Sequence, residues 1–176
     1  MKKLFLIFLP IIMMSCKSDT YYAALNTNHQ RFDGWQAENA EFLMETNDQV
    51  LLLENLTALA IDEAKLRETY LMSEDAHSEF KNLAIDIQIQ AAAKRIKLAS
   101  VLSNDRDGLY HQVKETDQDR FDAYYLEILS QTLTNLESDA REYIKTGHND
   151  GLRNFAYKII SSIKPVQDAL NPESNS

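Results

Sequence analysis

The sequence predicts an all-α protein, a four-helix bundle with one long crossover between its second and third helices. Three observations carry that expectation. Four Gly and three Pro in 176 residues leave too little turn chemistry for a set of β-hairpins. From Trp35 onward, apolar side chains recur every three to four residues through four long stretches. The connections between those stretches run short, long, short, and the middle one has the length to cross a bundle. A simple up-down-up-down bundle is the alternative, in which the middle connection turns back on itself.

The chain opens "KKLFLIFLPIIMMSC". Lys2 and Lys3 form a positive start, and Leu4 to Ile12 is an apolar run broken by Pro10. The run is too short for a membrane-spanning helix, which needs about 20 residues. Residues 1–15 therefore read as a secretory signal peptide. Met13-Met14-Ser15-Cys16 resembles the bacterial lipoprotein box, with Met13 where that pattern prefers Leu. The resemblance implies cleavage before Cys16 and acylation of that residue, which is the only cysteine in the chain. Acyl chains anchor through their buried CH₂ groups, at about 0.8 kcal/mol each. Lys17 follows the Cys in place of the Asp that marks inner-membrane retention in enteric bacteria, which favours the outer membrane; which face is left open.

Residues 16–34 show no sustained periodicity and read as a lipidated tether. The bundle domain is placed at 35–172. Its first helix is expected from about 36 to 72, on the stripe Phe42, Thr46, Gln49, Leu53, Leu56, Ala60, Ala64, Arg67 and Leu71. Ser73 offers an N-cap for the second, with Glu74 and Asp75 in its first turn, where acids suit the helix dipole. That helix carries Phe80, Leu83, Ile87, Ala91, Leu98 and Val101 and ends near Leu102. A long connection spans 103–119. The third helix, from about 117 to 146, carries Phe121, Tyr125, Ile128, Thr132, Leu136, Ala140 and Tyr143. Gly147 sits where a helix stop belongs. Asn149 or Asp150 caps the fourth, with Leu152, Phe155, Ile159, Ile163, Val166 and Leu170 on its stripe and Pro165 as a kink or a new turn. Residues 173–176 are expected to form a disordered tail.

The middle connection of roughly 15 residues reaches about 50 Å at ~3.3 Å per residue. A second helix of about 29 residues is roughly 43 Å long. The connection can thus return along the whole bundle and leave the second and third helices parallel, the ferritin-like arrangement.

"RFDAYYLEIL" carries Phe121-Asp122 followed by Tyr125, and "NDGLRNFA" opens the last helix. With "FLMETNDQVLLLENLTALA", which places Glu54, and "FKNLA", these segments resemble the ferritin-like family called domain of unknown function 4142, over about 40–170. The resemblance implies inward histidines on the later helices. The corresponding positions here hold Gln90 or Ala91, Thr132 or Leu133, and Val166. The four histidines, His29, His77, His111 and His148, fall in expected loops or at helix ends.

Charge excludes some classes of partner. The chain has 18 Lys+Arg against 27 Asp+Glu, a net of −9. Nucleic acid and anionic lipid surfaces both need clustered cations, so neither is expected. A di-iron bundle needs two Glu-x-x-His pairs, and the one such pair, Glu74 to His77, lies in a helix's first turn, where capping explains the acids. "SNDRDG" has Asp105 and Asp107 before Gly108, as a calcium loop would. Lys114 stands where that loop needs a bidentate Glu, so an EF-hand is rejected; an isolated weak cation site there stays open. No catalytic constellation and no phosphate-binding loop is found. Gln90 and Lys94 are the oddest stripe residues, and the stripe is expected to turn outward there, with Lys94 snorkelling. The expected protein is a lipid-anchored, non-enzymatic bundle of the bacterial envelope. It carries no cofactor or metal, and it reaches the membrane through Cys16 and an unidentified envelope partner through its surface. A metal-binding ferritin-like protein is the alternative.

Overall fold

The computed structural model describes residues 20–170. The expected signal peptide at 1–15, Cys16 and the expected tail at 173–176 lie outside the described residues. The protein is all-α, with no strand among the described residues. Its elements are α1 (Tyr21–Arg31), α2 (Gly34–Glu63), α3 (Arg67–Lys94), α4 (Asn104–Lys114), α5 (Phe121–Thr146) and α6 (Asp150–Leu170). Among the described residues six helices thus stand where four are expected. Both additional helices are short and fall where irregular chain is expected, one in the tether and one in the middle connection.

Within the stretch expected as a tether, the described residues 20–34 are mostly helical. Thr20 Oγ1 accepts from Ala23 N and caps α1. Helix α1 then packs on α2, where its Ala24 and Asn28 are buried. Asn28 supplies the reason: its carboxamide exchanges two hydrogen bonds with the backbone of Lys97, at 2.8 and 2.9 Å. That partner is 69 residues away, so no local pattern reveals it.

The expected helix from 36 to 72 is divided. No Gly or Pro interrupts it, and the apolar period runs through. Yet α2 stops at Glu63, and Ala64 is extended at φ −63°, ψ 134°. Asp122, in the first turn of α5, accepts from the amides of Lys65 and Leu66 at 3.2 and 3.4 Å. The turn is made by a carboxylate on another helix. The second expected helix, 73–102, is also displaced, beginning at Arg67 and ending at Lys94. Its end is a Schellman-type stop. Arg95 is left-handed at φ 58°, and Ile96 N donates to Ala91 O at 2.9 Å.

After Arg95 the chain is non-helical as far as Ser103 and is held on α2 by two side chains. Asn47 Nδ2 donates to Ala99 O at 3.1 Å, and Asp48 Oδ1 accepts from Ser103 N at 2.9 Å. Ser103 then caps α4, with Asp105 and Asp107 in the first turn. The SNDRDG stretch is therefore mostly helix. Beyond α4, Gln118 reaches Glu63 at the far end of α2. Ser73 Oγ and Tyr125 Oη lie 2.8 Å apart, so α3 and α5 begin at the same end.

The core lies between α2, α3, α5 and α6. Leu43, Leu53, Leu56, Leu83, Ile87, Tyr125, Leu129, Leu136, Ile159 and Ile163 are buried in it. Helix α2 packs on α3 and α5, α6 packs on α5 and α3, and α4 lies against α2 and α5. Pro165 does not end α6, which continues to Leu170. Gly147 does stop α5, but not through a left-handed backbone, since its φ is −64°. A Cβ there would lie 2.6 Å from Tyr143 Cε1, so close approach requires the glycine. Tyr143 in turn stacks on Phe42, centroids 4.0 Å apart.

Candidate functional site

Polar side chains break into the buried length of α2 at Glu45, Asp48 and Gln49, spaced i, i+3, i+4 and therefore on one face. Arg106, from the first turn of α4, reaches two of them. Its Nη1 lies 2.6 Å from Asp48 Oδ2, and its Nη2 pairs with Glu45 Oε1. The Asp48 side chain is fully buried and that of Arg106 only 19% exposed, so the pair is shielded from solvent screening. Gln49 Nε2 donates to Glu45 Oε1 at 3.2 Å and to Asp139 Oδ2, on α5, at 2.5 Å. Tyr21, at the start of α1, donates to Glu45 Oε2 at 3.4 Å. One network thereby ties α1, α2, α4 and α5 together.

Its electrostatics follow from three carboxylates meeting one guanidinium. Burial pushes the Glu45 carboxyl up, but the hydrogen bond and charge of Arg106, with Gln49 and Tyr21, outweigh it and hold the group below its usual range. Burial pushes Asp139 up, and Glu45 adds to it, more than Gln49 and the more distant Arg106 offset. Burial, then the Glu45 and Asp48 charges, raise the Tyr21 phenol to about 12. Gln49 Oε1 and Thr46 Oγ1 have no hydrogen-bond partner. Chemically the network is a fastening. Its acids are occupied by Arg106, Gln49 and the Ser103 amide, and it contains no nucleophile with a base.

Two further polar pairs lie between the long helices. Ser73 meets Tyr125, whose phenol burial raises to about 12. Thr57 Oγ1 lies 3.0 Å from His77 Nδ1 and also donates to the carbonyl of Leu53 or Glu54.

The residues singled out in sequence are not brought together. Cys16 lies outside the described residues. His77 is half-buried against Thr57, while Glu74 is exposed. His29 faces Glu41 at 3.3 Å, His148 faces Glu38 at 3.1 Å, and His111 faces Asp107 at 3.7 Å. These are separate places on the surface. Among the described residues, no group of three or more His, Cys, Asp or Glu is arranged to hold a metal ion. Ala91, Leu133 and Val166 are buried, Gln90 is half-buried, and Thr132 spends its hydroxyl on Ile128 O at 2.8 Å. Glu54 is half-buried and its carboxyl is raised by burial, opposed by Lys81.

No known protein family, no curated protein and no solved structure matches the chain.

The Glu45–Asp48–Gln49–Arg106–Asp139 network was not singled out in sequence as a unit. One signal for it was present. Thr46 and Gln49 stand on the apolar stripe of α2 at core spacing, and polar residues there must find partners. Arg106 and Asp139 carry no such mark.

Proposed function

We propose that the protein is a lipid-anchored, non-enzymatic helical bundle of the bacterial cell envelope. Cys16 is the acylated anchor, and the helical domain binds a partner or ligand at its surface. Within this reading the four long helices form a ferritin-like bundle, with 95–120 as its one crossover, as in the domain-of-unknown-function 4142 family. The observation that carries the non-enzymatic part is how the buried polar groups are used. Asp48, Asn28 and Asn47 are committed to the backbone and side chains of 97–106, and the remaining interior positions of α2, α3, α5 and α6 are largely apolar. A metal-dependent ferritin-like protein would need inward ligands where Ala91, Leu133 and Val166 stand.

The anchor is tested by Cys16→Ser. That variant should lose labelling by a palmitate analogue and accumulate as unlipidated precursor or as a soluble periplasmic form. A variant that stays labelled and membrane-bound overturns the anchor. Stoichiometric iron or manganese in protein purified from its native membrane would bring back the metal-binding alternative.

A further inference from the structure

At the end of the bundle where α2 begins, a cavity of about 170 Å³ is lined by Phe32, Trp35, Gln36, Asn39, Lys94 and Asn149, among others. Three features of this lining are unexplained by the fold. Trp35 leaves 50% of its surface exposed beside the cavity, although a large aromatic normally spends that area on a core or a ligand. Lys94 is half-buried and, among the described residues, has no carboxylate partner, in a chain with a large excess of acid. Its place in the last turn of α3 suits the helix dipole, but no carboxylate lines the cavity to neutralise it. Asn39 is only 4% exposed. Its Oδ1 accepts from Tyr143 Oη, which fixes the orientation of the carboxamide. Among the described residues no hydrogen-bond partner is placed on its Nδ2, and the side chain lines the cavity.

One kind of ligand answers all three. An anionic oxygen would take the Lys94 ammonium and the Asn39 carboxamide as charge-assisted donors, with the Gln36 amide on the same wall. A flat apolar body would cover the Trp35 indole and Phe32. Asn149 is the N-cap of α6, its Oδ1 accepting from Leu152 N at 3.0 Å. The positive end of that helix therefore borders the same cavity and favours the same sign of charge. We infer that the cavity between Trp35, Asn39 and Lys94 binds a small organic anion, a carboxylate carried on a flat apolar group. This site goes beyond the envelope reading and is independent of the anchor at Cys16.

Trp35 is the only tryptophan in the chain, so its fluorescence reports on the site directly. The full chain is titrated with benzoate and, separately, with benzamide, which keeps the ring and removes the charge. Benzoate should change Trp35 emission along a saturating curve, with benzamide at least about tenfold weaker, the loss expected when a charged hydrogen-bond partner turns neutral. Lys94→Met should weaken benzoate by a similar factor and leave benzamide unchanged, while Lys94→Arg retains benzoate binding. A non-saturating response, equal responses to the two probes, or a benzoate curve unaltered by Lys94→Met overturns the site. None of these outcomes bears on whether Cys16 is acylated.

Discussion

The α5–α6 turn and the α2–α3 turn join antiparallel helices with similar brevity and by opposite means. The first is written into the residues that form it. Gly147 lets the chain pass against Tyr143, and Asn149 caps the next helix with its own side chain. The second contains Ala64, Lys65 and Leu66, none of which favours a turn, and its amides are held by Asp122 on α5. The end of α3 belongs with the second kind. Arg95 occupies a left-handed position that glycine would fill without strain, and the chain beyond it is received by Asn28, Asn47 and Asp48. The α5–α6 turn carries its own punctuation, while the α2–α3 turn and the end of α3 borrow theirs from distant helices.

The largest effect is expected where borrowing is deepest. Arg106→Met removes the one cation paired with Asp48 among the described residues and leaves a fully buried carboxylate facing one backbone amide. Breaking a buried pair from one side costs about 3 kcal/mol or more, read as a lowered midpoint in urea denaturation. Hydrogen exchange should speed first in 96–114, before the α5–α6 turn responds. Exchange that rises evenly over the whole domain would erase the distinction between the two kinds. Gly147→Ala strikes the self-contained turn. The new Cβ meets Tyr143 at 2.6 Å, so the Phe42–Tyr143 stack must shift, at a cost of about 2 kcal/mol for overpacking. Near-ultraviolet circular dichroism should register the disturbed tyrosine.

Asp122→Ala removes the acceptor from the Lys65 and Leu66 amides. Both are near the surface, where water replaces part of what is lost, so about 1 kcal/mol is expected. Its exchange signature should fall on 63–69, far in sequence from the substitution; an effect confined to α5 would mean that the α2–α3 turn stands by itself. The smallest effect is in pH. Asp139 is raised in the folded state, so its protonation adds stability as pH falls from neutral towards the carboxylate range, and that gain is lost as pH rises through its folded value. Glu45 is lowered, and the stability it supplies disappears as pH falls through its own folded value. Asp139→Asn should therefore reduce the mildly acidic rise, to which the raised Glu54 also contributes, and leave the steeper fall below it, as thermal melts across that range would reveal.

The same division explains what could be read in advance. The all-α class follows from the period of the apolar stripes and the scarcity of Gly and Pro, both summed over many residues. The ends of α5 and α6 fall within a few residues of expectation because Gly147 and Asn149 sit in the chain at those points. The break at 64–66 is silent because Asp122 lies 57 residues further on. Helix α4 shows the opposite case, in which the signal is present and ambiguous. Ser103, Asp105 and Asp107 resemble the start of a calcium loop, and they are also a helix cap followed by first-turn acids, which is what they form. The polar network of α2 was half visible, through Thr46 and Gln49 on an apolar stripe, while Arg106 and Asp139 have no neighbours in sequence that betray them.

The position of Asn28 gives α1 a mechanical meaning. Helix α1 begins beside Glu45, about 17 Å along α2 from its first residue at 1.5 Å per residue, so the chain leaves the flank of the domain and not its tip. Traction on Thr20 would peel α1 from that flank one contact at a time, beginning with the 3.4 Å bond of Tyr21. It would reach the paired bonds between Asn28 and Lys97 before the contact of Arg31 with Arg95 O. Once Asn28 lets go, the non-helical chain beyond Arg95 loses one of the amide side chains that hold it in place. A pull at one edge of the molecule is thereby delivered to a segment 69 residues away.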